Sequence, residues 1–184
     1  VDIRMPHCYH GEWDPETNDY VVLLEDMDPA EQGDQIAGCV LDRAELAVRE
    51  LTRLHGPRWN DPTLAHVAWL NGNDPNSSAD GYAMIWSALA PGFLAEYEPY
   101  LTAEQLDLAE RFGPHLASFI GGRERPFSLV HTDYRLDNML FGTTEGCPPI
   151  TIVDWGSPAH STPITDLSYF CGAGLLVDDR RAHE

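Results

Sequence analysis

Lysine is absent from this chain, and all eleven of its basic residues are arginine. A Gly-x-x-x-x-Gly-Lys-Ser/Thr phosphate loop therefore cannot be present, which excludes the P-loop class of nucleotide-binding proteins. No apolar run reaches the roughly 18 residues of a membrane-spanning helix, and no signal peptide is visible. The cysteines form no Cys-x-x-Cys motif, as is typical of reduced thiols; they are Cys8, Cys39, Cys147 and Cys171. We therefore expect a cytoplasmic protein.

Basic residues are also scarce relative to acidic ones. The chain carries 11 bases and 30 acids, and its formal net charge is −19. A surface of this charge repels nucleic-acid phosphates and anionic membranes, so we expect neither as a partner. With 184 residues the chain is long enough to bury one hydrophobic core. No feature of the sequence indicates the oligomeric state.

A predicted hairpin is flanked by two polar residues. Asn138 directly precedes the apolar run 139–141, and Asp154 directly follows the apolar run 150–153. Residues 142–149 between them are rich in glycine, threonine and proline, a composition typical of turns. Two short strands joined in this way form an antiparallel hairpin, in which the start of the first strand lies beside the end of the second. We therefore expect Asn138 and Asp154 to lie side by side.

The oxygen atoms of these two side chains suit a hard cation such as Mg²⁺, which prefers oxygen ligands and retains waters or phosphates in its shell. Asp133 lies five residues before Asn138, in a polar loop that follows the apolar run 127–130. That loop can direct Asp133 towards a group bound above the metal. The sequence thus predicts a magnesium site formed by an amide and a carboxylate, with a second carboxylate beside it.

The order His-x-Asp-x-x-x-x-Asn, apolar hairpin, Asp-Trp-Gly and a later Asp-Leu runs here from His131 through Asp154 to Asp166. This pattern resembles the small-molecule branch of the protein-kinase-like superfamily, namely the aminoglycoside phosphotransferase family and the ecdysteroid-kinase-like and choline-kinase-like enzymes. The resemblance extends over roughly residues 20–178. It implies an α+β fold, with a kinase-like C-terminal lobe that is mainly helical and carries a catalytic β-hairpin, after the last strands of an N-terminal lobe.

The resemblance also implies a role for each residue of the pattern. Asp133 would be the catalytic base that orients the substrate hydroxyl. Asn138 and Asp154 would bind Mg²⁺. His131 would hold the shape of the loop through hydrogen bonds, and Asp166 would brace the same loop from below.

Two further assignments follow from the resemblance. Arg135 matches a position where protein kinases carry a lysine near the γ-phosphate, and a plain surface charge is the alternative interpretation. The apolar strand 20–27 would lead into the hinge that binds adenine through backbone groups, formed by Glu25, Asp26 and Met27. An ordinary buried strand is the alternative interpretation of that segment.

These roles together imply a small-molecule kinase that uses ATP and Mg²⁺ to phosphorylate a hydroxyl group. Because the chain is so acidic, Mg²⁺ has to neutralise the nucleotide, and the surface would suit a cationic acceptor such as an aminocyclitol or a choline-like amine. No motif encodes the acceptor itself. Two other classes stay open, a non-catalytic kinase-like binding module and a metal-dependent phosphoesterase that uses the same carboxylates.

Kinase-like enzymes also use a strand lysine paired with a helix glutamate, and a glycine-rich loop over the phosphates. This chain has neither. The favoured interpretation is a piece truncated at both ends and inactive by itself, with residues 1–27 as the remnant of an N-terminal lobe with its hinge and residues 28–184 as a C-terminal lobe. The competing interpretation is a degenerate relative, against which the complete metal-binding set argues.

Outside the site, the first part of the chain predicts strands over 3–13 and 20–27. Residues 36–55 place apolar side chains at helical spacing, which predicts an amphipathic helix. Gly56 and Pro57 should end it, as a glycine followed by proline does at many helix C-termini.

In the second part, Thr102 and Gln105 form the sequence of a capping box and should open another helix. That helix is expected to run to residue 120 and to be kinked at Pro114. A polar loop is expected over residues 71–81, near the acceptor site.

Overall fold

The computed structural model of the protein describes residues 1–70 and 79–183. The chain folds as a mixture of helices and small antiparallel sheets, which confirms the α+β fold class. The strands are β1 Cys8–Trp13, β2 Tyr20–Leu24, β3 Ala30–Gln32, β4 Ser128–Val130, β5 Met139–Gly142, β6 Ile150–Ile152 and β7 Ala159–Ser161. The helices are α1 Leu41–His55, α2 Ala79–Tyr97, α3 Ala103–Phe112, α4 Leu116–Gly121, α5 Ile164–Gly174 and α6 Val177–His183. Short 3₁₀ helices cover Gly56–Arg58, Pro62–His66, Glu98–Tyr100, Gly113–His115 and Leu136–Asn138.

The predicted hairpin is confirmed. β5 and β6 pair antiparallel, with Met139 opposite Ile152 and Phe141 opposite Ile150. These four side chains are buried, because alternate residues of a strand share one face and this face packs into the core. β3 pairs with the other edge of β5 and completes a three-stranded sheet.

The predicted amphipathic helix corresponds to α1 and begins at Leu41 instead of residue 36. The preceding residues form a turn in which the Asp34 carboxylate accepts the N–H groups of Ile36 and Ala37. This side chain competes with helical hydrogen bonds and delays the start of the helix. The buried face carries four small or branched apolar residues at helical spacing, namely Ala44, Ala47, Leu51 and Leu54.

The end of α1 at His55 agrees with the prediction, but its geometry differs. Gly56 keeps right-handed helical angles, φ −56° and ψ −51°, and opens the 3₁₀ helix Gly56–Arg58. The glycine therefore does not act as a left-handed cap. Pro57 ends the α-helix because it has no N–H to continue the ladder.

The capping box is confirmed at the start of α3. The Thr102 hydroxyl accepts the N–H of Gln105, and the Gln105 side chain accepts the N–H of Thr102. The single kinked helix predicted to follow is wrong. The 3₁₀ helix Gly113–His115 separates α3 from α4, because Pro114 removes one helical hydrogen bond and crowds the preceding turn.

The two predicted N-terminal strands are present as β1 and β2, with Trp13 opposite Tyr20, but both are shorter. β1 does not reach back to residue 3. The N–H of Asp2 donates to the carbonyl of Arg53, and Ile3 is buried in the core beside α1. Pro6 separates this segment from β1, because a proline cannot donate to a strand ladder.

The helix α2 is not predicted by the sequence pattern, because its apolar residues surround the helix and give no amphipathic period. It begins at Ala79, so the last three residues of the predicted polar loop 71–81 are helical. Residues 71–78 of that loop lie outside the described residues. Over the described ranges, none of the helices combines the length and the apolar character needed to cross a membrane.

Candidate active site

The loop after β4 is braced by a buried carboxylate. The Oδ2 atom of Asp166 accepts the N–H of His131 at 2.8 Å, and its Oδ1 atom accepts the N–H of Thr132 at 2.9 Å. Nε2 of His55 lies 2.9 Å from Asp166 Oδ2. Asp166 is only 1% exposed, so these three contacts compensate the cost of burying its charge. A carboxylate at the start of α5 thus sets the backbone of a loop 35 residues earlier in the chain.

The same loop is anchored to α1 by Tyr134, which sequence reasoning missed. Its ring is fully buried and its hydroxyl donates to the carbonyl of Ala47 at 2.8 Å. Burial raises the pKa of Tyr134, because the phenolate would lose its hydration. The residue stands between the two polar site positions Asp133 and Arg135 and resembles any core tyrosine in the sequence, so no sequence signal marks it.

His131 connects the loop with the segment that precedes Asp154. Its Nε2 atom lies 3.0 Å from the carbonyl oxygen of Val153. Because a carbonyl only accepts, Nε2 carries the proton of this hydrogen bond. The imidazole also contacts the ring of Trp155 edge to face, with 4.6 Å between centroids. The His131 side chain therefore sets the distance between the two segments.

Asp133 and Asn138 contact each other directly. The Asn138 Nδ2 atom donates to the backbone carbonyl and to Oδ2 of Asp133, both at 2.9 Å. The Asn138 side chain is thereby oriented with its Oδ1 atom facing away from Asp133. Asn138 is 6% exposed, whereas the Asp133 side chain is 38% exposed. Within the described residues, the second carboxylate oxygen of Asp133 has no hydrogen-bond partner and is open to a ligand.

Asp154 follows the last backbone contact of the hairpin. The N–H of Val153 donates to the carbonyl of Asn138 at 3.0 Å, and Asp154 is the next residue. Its φ of +62° is left-handed and turns the chain away from β6. The side chain is exposed, and no hydrogen bond to its carboxylate exists in the described part of the chain.

The donor set of this corner fits a hard cation. The Asn138 amide oxygen and the Asp154 carboxylate are both oxygen ligands without a protein partner. Residues 1–70 and 79–183 contain no group of three or more His, Cys, Asp or Glu side chains arranged to hold a metal. A cation here would therefore depend on further oxygens from phosphate or water.

Arg135 lies between two carboxylates. Its Nε atom is 3.5 Å from Asp133 Oδ2, and one terminal nitrogen is 3.2 Å from Asp137 Oδ2. The first contact is an ion pair only, since Nε has no hydrogen bond among the described residues. Arg135 lines an open polar cavity of about 610 Å³. The other lining residues are Gln32, Gly33, Asp34, Asp137 and Asn138.

The segment 32–34 lines this cavity from another part of the chain, and sequence reasoning missed it together with Gln35, which follows it. Gln35 accepts the N–H of Leu136 at 2.8 Å, and its own N–H donates to Asp137 Oδ1 at 3.0 Å. A Cβ on Gly33 would lie 2.5 Å from the carbonyl oxygen of Leu136, so only glycine allows this approach. The sequence Gln-Gly-Asp-Gln matches no motif, and its contacts span about a hundred residues of chain.

The predicted hinge residues lie on a separate segment, between β2 and β3. Both Glu25 carboxylate oxygens accept from Arg4 at 2.7 Å, and one also accepts the N–H of His7 at 2.9 Å. The hydrogen bonds from Arg4, and then that from His7, lower the pKa of Glu25. The Asp26 carboxylate accepts the N–H of Asp28, and the Met27 carbonyl accepts the N–H of Ala30; these contacts shape the turn into β3.

The backbone of the hinge segment keeps two unpaired groups. Neither the carbonyl of Glu25 nor the N–H of Met27 has a hydrogen-bond partner among the residues that the structure describes. The N–H of His7 would normally pair with the Glu25 carbonyl across the ladder, but it donates to the Glu25 side chain instead. An acceptor and a donor two residues apart are thus available to a ligand.

Comparison with known proteins identifies the fold and the family. The family model described as "Phosphotransferase enzyme family" (APH) matches residues 6–183. The chain is also similar to the crystal structure of a choline/ethanolamine kinase family protein from Mesorhizobium loti, with 18% sequence identity and a TM-score of 0.54. That match covers 96% of this chain and 53% of the other, so the chain spans about half the length of this relative. No curated protein matches the sequence. Because the family model matches nearly the whole chain, the protein belongs to the phosphotransferase enzyme family.

Proposed function

We propose that the protein containing this chain transfers the γ-phosphate of ATP to a hydroxyl group of a small molecule. One observation carries the proposal: Asn138 bonds to Asp133 at the start of β5, and Asp154 follows the end of the paired strand β6. This arrangement supplies a free carboxylate oxygen for a hydroxyl and two oxygen ligands for a cation. Family membership is in line with it.

Asp133 is the proposed catalytic base. One of its carboxylate oxygens is held by Asn138, which leaves the other to align an acceptor hydroxyl and take its proton. Arg135, 3.5 Å away, adds positive charge beside the point where the phosphoryl group would pass. His131 and Asp166 do not touch substrate in this proposal; they hold the loop that presents Asp133.

Asn138 and Asp154 are the proposed ligands of Mg²⁺. The ion would supply neutralisation of the nucleotide phosphates, which a chain of net charge −19 otherwise repels. The side-chain nitrogen of Asn138 is occupied by Asp133, so its oxygen is the atom left to coordinate.

The unpaired carbonyl of Glu25 and N–H of Met27 are the proposed partners of adenine, with Asp26 between them. Adenine presents a donor and an acceptor on one edge, which matches this pair. In this proposal, residues 1–27 are the end of an N-terminal lobe with the hinge, and residues 28–184 belong to the C-terminal lobe.

A cationic hydroxylated acceptor and a cytoplasmic location complete the proposal. The acceptor would enter the polar cavity beside Arg135, whose wall carries the carboxylates of Asp34 and Asp137. Negative charge there favours a cation such as an amino alcohol. All four cysteines are free thiols, in keeping with a reducing compartment.

The test is Mg²⁺-dependent ATP binding by calorimetry on the whole protein, followed by a screen of hydroxylated compounds for ADP release. Asp154→Asn should abolish the Mg²⁺-dependent part of ATP binding, because an amide replaces the charged ligand. Asp107→Asn, on the exposed surface of α3, is the matched control and should bind like the wild type. Equal ATP affinity of the Asp154 variant and the wild type would remove the metal assignment.

The second candidate is a kinase-like binding module without turnover. The 184 residues contain no lysine for the phosphates, so these residues alone would be expected to bind without turnover. Nucleotide binding without ADP release from any acceptor would support the module. Hydrolysis of ATP without an acceptor would instead support a phosphoesterase.

A further inference from the structure

Thr132 has a backbone conformation that threonine rarely adopts. Its φ is +74°, in the left-handed region where a β-branched side chain is strained. Glycine would occupy this position without that cost. A threonine here therefore has to be stabilised by contacts that glycine could not make.

The side chain of Thr132 makes such contacts with Ser157. Its Oγ1 atom donates to the Ser157 carbonyl at 2.8 Å and lies 2.9 Å from the Ser157 hydroxyl, which can donate in return. The N–H of Thr132 is held by Asp166 at 2.9 Å. Thr132 thus contacts both Asp166, which holds the backbone of the loop, and Ser157, which lies 25 residues further along the chain.

Residues 154–157 form the other partner, and we name them the metal loop. Asp154, Gly156 and Ser157 are exposed, whereas Trp155 packs against the core and against the ring of His131 and holds the near end of the loop. A Cβ on Gly156 would lie 3.4 Å from Asp154 Oδ1, at van der Waals contact, so the carboxylate lies beside the backbone of Gly156. Trp155 fixes the near end of the loop, and the position of Asp154 depends in addition on what fixes its far end at Ser157.

We propose that Thr132 is a positioning residue: its hydroxyl fixes the metal loop to the catalytic loop through Ser157 and so sets the affinity of the site for its divalent cation. This inference rests on the proposed function, in which Asp154 binds Mg²⁺. Thr132 itself touches neither metal nor substrate. Its backbone is adjacent to Asp133, so the link couples the two carboxylates of the site.

Four variants separate the hydroxyl from the other properties of Thr132. Thr132→Val keeps the branched shape and removes the hydroxyl, whereas Thr132→Ser keeps the hydroxyl. Thr132→Gly removes the hydroxyl and relieves the backbone strain, so it stays informative if the valine variant folds poorly. Thr52→Val is the control, because the Thr52 hydroxyl donates to the Arg49 carbonyl within α1 and has no other hydrogen bond among residues 1–70 and 79–183.

The measurement is ATP binding by calorimetry over a series of Mg²⁺ concentrations, on the whole protein. We expect Thr132→Val and Thr132→Gly to need about two- to tenfold more Mg²⁺ for half-maximal binding, the effect of losing one hydrogen bond. Thr132→Ser and Thr52→Val should match the wild type. A valine or glycine variant with wild-type Mg²⁺ dependence, or a serine variant as impaired as valine, would overturn the inference.

Hydrogen exchange without any ligand reports the link separately from the proposed function. Peptides covering 154–158 should exchange faster in Thr132→Val and Thr132→Gly than in Thr132→Ser. If the wild type binds ATP with Mg²⁺ and all variants bind equally, the positioning role alone is wrong. If the wild type shows no Mg²⁺-dependent binding, the proposed function is wrong and the positioning role is overturned with it.

Discussion

Asp133 combines one restrained and one open carboxylate oxygen. The Asn138 side chain donates to Oδ2, and no residue in the described ranges contacts the other oxygen. A general base needs this combination, since the restrained oxygen orients the group and the open one reaches the proton. At the scale of single residues, the proposed chemistry therefore depends on the Asn138 amide, which orients the Asp133 carboxylate.

The corresponding prediction is that Asp133→Ala lowers kcat of the whole protein by about 10²–10⁴-fold, the usual contribution of a general base. The side chain is partly exposed, and Asn138 Nδ2 keeps its hydrogen bond to the backbone carbonyl of residue 133, so thermal unfolding should change little. Steady-state kinetics with an acceptor from the ADP-release screen and a melting curve check both parts. Asp107→Ala serves as the control, and a well-folded Asp133→Ala protein with full activity would contradict the role.

The contribution of Glu25 to the stability of the folded state depends on pH. Hydrogen bonds from Arg4 lower its pKa in the folded state, so the charged form contributes stability above the unfolded pKa, near 4.5. This contribution is lost as the pH falls through the lower, folded pKa. The residue also ties the N-terminal segment to the hinge.

We therefore expect the Glu25→Gln variant to be less stable than the wild type at pH 7. Below the pKa of Glu25 in the folded state, the stabilities of the two proteins should become similar. Chemical unfolding at pH 7 and over a series of pH values that starts at 4.5 and continues downwards gives the comparison. Glu45→Gln, which alters an exposed ion pair within α1, is the control. A stability difference that is the same at all pH values would show that the charge of Glu25 is irrelevant.

At the scale of elements, α1 supports the loop that carries the proposed catalytic base. Its buried face contacts β4, β6 and α5, and its Ala47 carbonyl receives the Tyr134 hydroxyl. His55 at its end contacts the buried carboxylate of Asp166. A substitution that disturbs the packing of α1 should therefore also displace this loop, because both contacts join the two.

Leu54→Ala tests this packing. Leu54 is fully buried, and removing its side chain should lower the free energy of unfolding by about 2–5 kcal/mol, the usual cost of a cavity. Leu41→Ala in the same helix is the matched control, since Leu41 is exposed and should change stability far less. Urea unfolding gives the free energy of unfolding of both variants. An equal decrease in the two variants would mean that the buried face of α1 does not contribute to the core.

At the scale of the whole molecule, the net charge of −19 is the dominant property. Acids at this excess repel one another more strongly in the compact state than in the expanded chain. Two exposed ion pairs between neighbouring turns, Arg49 with Glu45 and Arg111 with Asp107, offset little of this repulsion.

Raising NaCl from about 0.01 to 0.15 M should therefore raise the melting temperature, because salt shortens the range of the repulsion from about 30 to 8 Å. The rise should shrink near pH 4.5, the pI of the sequence, where little net charge is left to screen. Differential scanning calorimetry at the two pH values makes the comparison. A melting temperature independent of salt at pH 7 would show that self-repulsion is not limiting.

The sequence by itself determined the local features of this protein. The hairpin follows from two apolar runs and a turn, the start of α3 from Thr102 and Gln105, and the buried face of α1 from its apolar spacing. The meeting of Asn138 with the segment before Asp154 follows from the hairpin alone. Each of these depends on residues within about 20 positions of one another, where backbone geometry fixes the neighbours.

The tertiary structure alone decided the contacts that support the site. His55 meets Asp166 across 111 residues, and Gln35 meets Asp137 across 102. Ile3 and Arg4 leave the predicted strand 3–13 and pack along α1, and Thr132 contacts Ser157. Neither hydrophobic periodicity nor capping motifs predict such pairs. The pairs form because polar groups that are buried in the folded core need hydrogen-bond partners, and those partners come from elements distant in sequence.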